Sequence, residues 1–328
     1  MSLLQVSGLH TRYETNDGVL RAVDGVSFAI EAGETVGLVG ESGCGKSTLG
    51  KTLVGLVPAS EGEVTFDGAE ISHLSPAALK PVRRRLQMIF QDPFGSLNPR
   101  QSIGQILTAP LAVHGVRSAA ERRAQALAMV RRVGLPDDTL QRFPHEFSGG
   151  QRQRIGVARA LILAPQLVVC DEPVSALDLS IQAQILNLLV EMKSELDLAY
   201  LFVSHDLSVV RYFADRVLVM YLGRIVESAT YDTIWSRPRH PYTRALMEAV
   251  PDPLRRRTAA PLSGDLPSAR NVPSGCRFHP RCPFATDLCR SADPALRSVE
   301  PGHEVACHHA EAIFAAAGAT PPGAATVH

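Results

Sequence analysis

The sequence predicts an α/β fold, and three observations carry the prediction. Short apolar runs at residues 35–39, 86–91, 166–170 and 200–203 read as buried strands. Between the first run and a helical stretch lies Gly40-Glu41-Ser42-Gly43-Cys44-Gly45-Lys46-Ser47-Thr48, which fits the phosphate-loop pattern G-x-x-x-x-G-K-[ST]. The other three runs end in polar residues: Gln91, the pair Asp171-Glu172, and His205. That edge of an open α/β sheet is where ligands bind.

In order, residues 3–35 alternate apolar and polar residues and break at Asn16-Asp17-Gly18 and Ala32-Gly33-Glu34, which predicts a small antiparallel sheet. Tyr13 falls in its first hairpin, where an aromatic ring either packs on the sheet or stacks on an adenine. In the glycine-rich loop, backbone N–H groups can curl around a polyphosphate without Cβ clashes. The helix that follows, from Thr48, adds partial positive charge at its N-terminus. Lys46 suits the β- and γ-phosphates, and the Ser47 hydroxyl suits Mg²⁺. Residues 62–68 supply another strand and turn. Residues 92–99, punctuated by Pro93, Gly95 and Pro99, read as an ordered loop that is not helical.

Residues 101–145 turn helical, with apolar residues at three-and-four spacing from Ala119 to Val133 among arginines that read as a solvated face rather than a nucleic-acid patch. Phe147-Ser148-Gly149-Gly150-Gln151 precedes a helix to about residue 163. Its start is either an ordinary N-cap or a second anion site. Residues 166–173 form a strand ending in Asp171-Glu172; acids there can hold Mg²⁺, usually through water, and orient an attacking water. Ser175-Ala176-Leu177-Asp178 leads into a helix over 180–196. His205, at the tip of the next strand, is placed to touch a γ-phosphate.

Bulk properties set the bounds. The 328 residues suffice for two domains and a sizeable core. Lysine plus arginine and aspartate plus glutamate both total 33, so net charge gives no argument for a nucleic-acid partner. No uncharged apolar run reaches the roughly 18 residues of a membrane span, and the start lacks the regions of a signal peptide. A cytosolic chain is expected, in which six cysteines do not read as disulfides.

Taken together, these motifs resemble the nucleotide-binding subunit of ATP-binding cassette (ABC) transporters over roughly residues 3–235, in family order. One small departure is Phe147, where leucine is commonest. The implied fold is a P-loop NTPase cassette with a mixed sheet core, an antiparallel β subdomain and a helical subdomain near 95–160. The resemblance also implies head-to-tail pairing, in which Ser148, Gly149, Gly150 and Gln151 serve the partner's ATP and Asp178 communicates across the dimer. It implies that Tyr13 stacks on adenine and that Gly40, Ser42, Gly43, Cys44, Gly45, Lys46, Ser47 and Thr48 cradle phosphates. Ser47, Gln91 and water-linked Asp171 are implied for Mg²⁺, Glu172 as general base, and His205 for the γ-phosphate.

A narrower resemblance to the dipeptide and oligopeptide importer branch rests on residues 90–99 and on Arg239-His240-Pro241-Tyr242-Thr243. It implies a second, non-identical ATPase subunit, two integral membrane permeases, an extracytoplasmic binding protein and a place on the cytoplasmic face of the membrane. Cargo stays open among dipeptides, longer peptides, glutathione, nickel chelates and oligosaccharides. The rival classes are a soluble cassette that remodels DNA or ribosomes, and a metal- or redox-sensing module. Paired cassettes or a long inserted coil would mark the soluble class, and neither is present.

The expected C-terminal extension, 236–313, holds Cys276, Cys282, Cys289 and Cys307 with gaps of five, six and seventeen residues. Four thiolates in a small module can hold an iron–sulfur cluster or zinc, or stay free, and the spacing does not choose. Resemblance to the importer branch favours a [4Fe–4S] cluster in a structural or regulatory role. Residues 314–328, rich in alanine, glycine and proline, are expected to be disordered.

Overall fold

The computed structural model describes residues 2–16, 18–249 and 266–316. β1 (Leu4–Thr15) and β2 (Gly18–Ile30) form the first hairpin. β3 (Thr35–Val39), all five residues buried, runs into α1 (Lys46–Leu53). β4 (Glu61–Phe66) and β5 (Ala69–Glu70) complete a four-stranded antiparallel sheet in the order β2-β1-β4-β5. α2 (Lys80–Arg85) then delivers β6 (Leu86–Ile89).

Residues 93–96 depart from expectation. They form a single helical turn, α3 (Pro93–Ser96), rather than a non-helical loop. Proline is compatible with a first helical position, where its missing N–H leaves no bond unmade, and the turn closes by Ser96 N–H donating to the Asp92 carbonyl.

The helical layer comprises α4 (Ile103–Val113), α5 (Ala119–Arg132) and α6 (Gly149–Leu161). Two of these starts are written locally: Ser102 with Gln105, and Ser148 with Gln151, form reciprocal capping boxes. Ile103, Ile106, Leu107, Leu111, Met129 and Val130 turn inward and join the core beneath the main sheet.

Next come β7 (Leu167–Asp171), α7 (Leu179–Leu196), β8 (Ala199–Ser204), α8 (Leu207–Val210), β9 (Arg216–Tyr221), β10 (Arg224–Thr230), α9 (Tyr231–Ser236) and α10 (Pro241–Glu248). The extension adds α11 (Asp287–Ser291), β11 (Arg297–Glu300), β12 (His303–Val305) and α12 (Ala310–Ala316). The large sheet has eight strands in the order β11-β12-β10-β9-β3-β8-β7-β6. β6, β7, β8, β3 and β9 are parallel, and their apolar runs are buried on both faces between two hydrophobic clusters.

The extension is therefore built onto the large sheet, with Glu227↔Val305 and Ser228↔Glu304 in antiparallel register. A buried carboxylate secures this join. Glu227, with no exposed surface, accepts from the backbone N–H of Arg239 (2.7 Å) and His240 (3.0 Å) and pairs with His303 Nε2 (2.7 Å). A charge so deeply buried persists only with such partners. No described helix is long and apolar enough to cross a membrane. Of the stretch expected to be disordered, α12 carries helix to Ala316, and residues 317–328 lie outside the described residues.

Candidate nucleotide site

The site lies at the C-terminal edge of the parallel strands. Between β3 and α1 the chain doubles back in the phosphate loop, and Gly45 makes this possible. Its φ is +112°, and a Cβ there would meet the Ala22 carbonyl oxygen at 2.0 Å. Only glycine tolerates both the dihedral and the close approach. Cys44 packs its thiol into the core, 1% exposed, and burial pushes its pKa up.

Lys46 is 4% exposed, and its ammonium donates to the carbonyls of Gly40 (2.8 Å) and Glu41 (3.0 Å). A buried ammonium bonded to two backbone carbonyls and, at 4.0 Å, to the Cys44 sulfur, and 3.9 Å from the Glu172 carboxylate, is poised to exchange acceptors for phosphate oxygens. Ser47 Oγ donates to Asp171 Oδ1 at 2.7 Å, which brings together two oxygen donors proposed for Mg²⁺ from residues far apart in sequence. Burial pushes the Asp171 carboxyl above its usual range, and the Ser47 hydrogen bond works against that shift.

Glu172 follows β7 with φ +43°, a left-handed conformation costing a β-carbon residue about 1–2 kcal/mol. The turn is held by Glu172 N–H donating to Val203 O (3.1 Å) and by Ser175 Oγ donating to Glu172 O (3.1 Å). Strain kept in place by such contacts marks a position where the side chain must be aimed. Two expected partners are on it. Gln91 Nε2 donates to Glu172 Oε2 at 3.1 Å, and His205 Nδ1 lies 3.1 Å from the same oxygen. Lys46, Ser47, Gln91, Asp171, Glu172 and His205 thus converge as the sequence predicts, because β3, β6, β7 and β8 share one sheet.

Other predicted positions stand apart. Tyr13 lies in β1 opposite Leu20, half-buried. Ser148 caps α6 and is exposed. Gly150 is required by packing, because a Cβ there would lie 2.6 Å from Ile181 Cγ2 on α7. Asp178 precedes α7 without a side-chain capping bond, beside Leu179, which is 84% exposed. Among the described residues, none of the hydrogen bonds around Lys46 and Glu172 involves Ser148–Gln151.

The contacts of one loop residue carried no sequence signal. The loop pattern leaves Glu41 unspecified, yet its backbone N–H donates to Tyr242 Oη at 2.8 Å across 201 residues. Its carboxylate accepts both prongs of Arg281, at 2.7 and 3.0 Å.

Comparison with known proteins decides the family. Residues 23–175 match the family model described as ABC transporter, and residues 226–289 match the one described as oligopeptide/dipeptide transporter, C-terminal region. A putative peptide import ATP-binding protein of Brucella ovis is 53% identical over 307 residues, covering 93% of this chain and 97% of that relative. The chain belongs to the ATP-binding subunits of ABC transporters.

This ABC ATPase is also 50% identical to the oligopeptide transport ATP-binding protein OppF of Escherichia coli, covering 93% of this chain and 95% of that one. Among solved structures, the dimeric cassette MJ0796 bound to ADP and Pi superposes with a TM-score of 0.64 at 29% identity, covering 70% of this chain and 98% of that chain. ATP and Mg²⁺ fit the site on its own geometry: a glycine-dependent loop, a buried lysine and a hydroxyl–carboxylate pair.

The cysteines need a correction. Among the described residues, no group of three or more His, Cys, Asp or Glu side chains is placed to hold a metal ion. That geometry supports neither of the metal readings made from the sequence, the [4Fe–4S] cluster or zinc. Cys276, Cys282, Cys289 and Cys307 nonetheless line one small cavity with His279, His308 and His309. Burial pushes the Cys276 thiol up to about 11 and the Cys307 thiol up to about 12, and the neighbouring sulfurs add to both shifts.

Proposed function

We propose that this chain is the ATP-hydrolysing subunit of a membrane importer of dipeptides and oligopeptides, acting at the cytoplasmic face of the membrane. The observation that carries the reading is the assembled cluster around Glu172, with Gln91 and His205 on one carboxylate oxygen and Lys46 beside the other. In it, Glu172 takes the proton of the attacking water, His205 and Lys46 stabilise charge at the γ-phosphate, and Ser47, Gln91 and Asp171 hold Mg²⁺. Catalysis is positioning plus charge stabilisation, with no covalent intermediate. Tyr13 stacks on the adenine, and Gly40, Ser42, Gly43, Cys44, Gly45, Lys46, Ser47 and Thr48 hold the phosphates. Peptide cargo is favoured by the names of the relatives and by the family of the C-terminal region.

Residues 1–235 form the nucleotide-binding domain in this reading, and 236–313 an extension welded to it through β12. The second half of the composite site comes from another ATPase subunit, a non-identical homologue. Exposed Ser148 and half-buried Gly149 and Gly150 would reach that partner's ATP, and the bare Asp178–Leu179 face would lie at the junction. Gln151 orients Ser148 through the capping box. Two permeases and an extracytoplasmic binding protein complete the importer. On expression with its neighbouring permease genes, the chain should co-purify with integral membrane subunits and show peptide-stimulated ATPase activity. Purification as a soluble ATPase indifferent to permeases and peptides would overturn the importer reading.

The four-cysteine cavity is proposed to hold a [4Fe–4S] cluster, because Cys276, Cys282, Cys289 and Cys307 line it together. Anaerobically purified chain should carry iron and acid-labile sulfide and absorb broadly in the visible. A colourless, iron-free protein under those conditions would leave free thiols as the answer.

A further inference from the structure

We propose that Arg281 of the C-terminal extension is a positioning residue of the ATP site, holding the phosphate loop through Glu41. The inference rests on the ATP-site reading above. Arg281 is 8% exposed, and its guanidinium forms a two-pronged contact with the Glu41 carboxylate at 2.7 and 3.0 Å. Bidentate pairing fixes orientation as well as distance. Glu41 is thereby gripped at both ends: its carboxylate by Arg281, and its N–H by the hydroxyl of fully buried Tyr242. Its remaining polar group, the carbonyl, accepts from Lys46 Nζ at 3.0 Å. The carbonyl position that holds the phosphate-binding lysine is therefore set by two residues from outside the nucleotide-binding domain.

The grip is itself rigid. Tyr242 packs against Tyr221 and Phe278, with ring centroids 4.7 and 5.5 Å apart, and Tyr221 lies 5.3 Å from Phe278. The Arg281 guanidinium sits 6.0 Å from the centre of the Tyr221 ring. Phe278 and Arg281 belong to the segment between Cys276 and Cys282, so the fold of the cysteine module determines where the guanidinium stands. A side chain held by aromatic packing on one side and a fork on the other has little freedom left to lose when nucleotide binds. The loop is consequently pre-organised before ATP arrives, and the extension is what pre-organises it.

The test is equilibrium binding of a fluorescent ATP analogue to the full chain, with steady-state KM and kcat for ATP. Arg281→Ala and Glu41→Gln should each raise the nucleotide Kd about tenfold, the usual scale for losing a hydrogen bond to a charged group. The KM should follow, while kcat at saturating ATP changes less than about twofold, because bound phosphates order the loop by themselves. The Arg281→Ala/Glu41→Gln double variant should bind no worse than the weaker single variant, as expected of two residues acting through one contact. Should Arg281→Ala not fold, Arg281→Lys, which keeps the charge without the fork, carries the same expectation alongside Glu41→Gln. Wild-type affinity in the single variants, or fully additive losses in the double, would overturn the role of Arg281. Absence of nucleotide binding by the wild-type chain would instead overturn the ATP-site reading.

Discussion

Glu172→Gln should leave ATP binding intact while lowering turnover by about 10²–10⁴-fold, the usual contribution of a positioned base. The substitution keeps the side-chain volume and the carbonyl-type oxygen that can still accept from Gln91 Nε2, but it removes the group able to take a proton from water. It also takes a negative charge from within 3.9 Å of Lys46, which favours polyphosphate binding rather than opposing it. Nucleotide affinity should therefore be equal to wild type or tighter, and phosphate release should nearly stop. Single-turnover phosphate release beside equilibrium ATP binding reads both quantities. Wild-type turnover by the variant would remove Glu172 as the base and transfer that role to another group at the sheet edge.

A methyl group at Gly45 should be nearly as damaging, by a wholly different route. Gly45→Ala places Cβ 2.0 Å from the Ala22 carbonyl oxygen and 3.0 Å from Met220 Cε, at a φ of +112° that alanine does not adopt without strain. The Met220 methyl can swing aside, but the β2 backbone cannot retreat cheaply, because it is paired in its sheet. The loop must therefore rearrange. A misplaced loop amide cradle costs about 3 kcal/mol or more, so ATP affinity should fall at least about a hundredfold. Circular dichroism should remain native, since the strain is local. Binding within about tenfold of wild type would show that the loop tolerates another path.

The two variants fail at different levels of the same site. Glu172→Gln spares the cradle and removes the chemistry, whereas Gly45→Ala removes the cradle before chemistry begins. Their contrast reflects how the strands divide the labour in the proposed mechanism: β3 ends in the loop proposed to hold the phosphates, and β6, β7 and β8 end in the groups proposed to act on the phosphate and water.

Local pattern suffices for the parts of this protein whose physics is local. The glycine-rich loop, the buried runs of β3, β6, β7 and β8, the N-cap at Ser148, and the polar strand tips at Gln91, Glu172 and His205 all lie within a few residues of the signal that reveals them. Parallel strands force those tips to one edge, so convergence on Glu172 follows from strand direction without knowing a single contact. The helical turn at Pro93–Ser96 escaped because a proline-bounded stretch reads as loop, and tertiary context chose the turn.

Contacts between distant residues belong only to the folded chain. Nothing near Glu41 announces Tyr242 or Arg281, 201 and 240 residues away, and nothing near Glu227 announces His303. The cysteines show the same division: their residue type suggested a shared ligand, but only the fold gathers all four around one cavity, and among the described residues it forms no group placed to hold a metal ion. Periodicity and motif spacing report how a segment presents its side chains to whatever it meets. Which partner it meets, and hence that the extension grips the phosphate loop, is decided when β12 pairs with β10 and brings the two ends of the chain together.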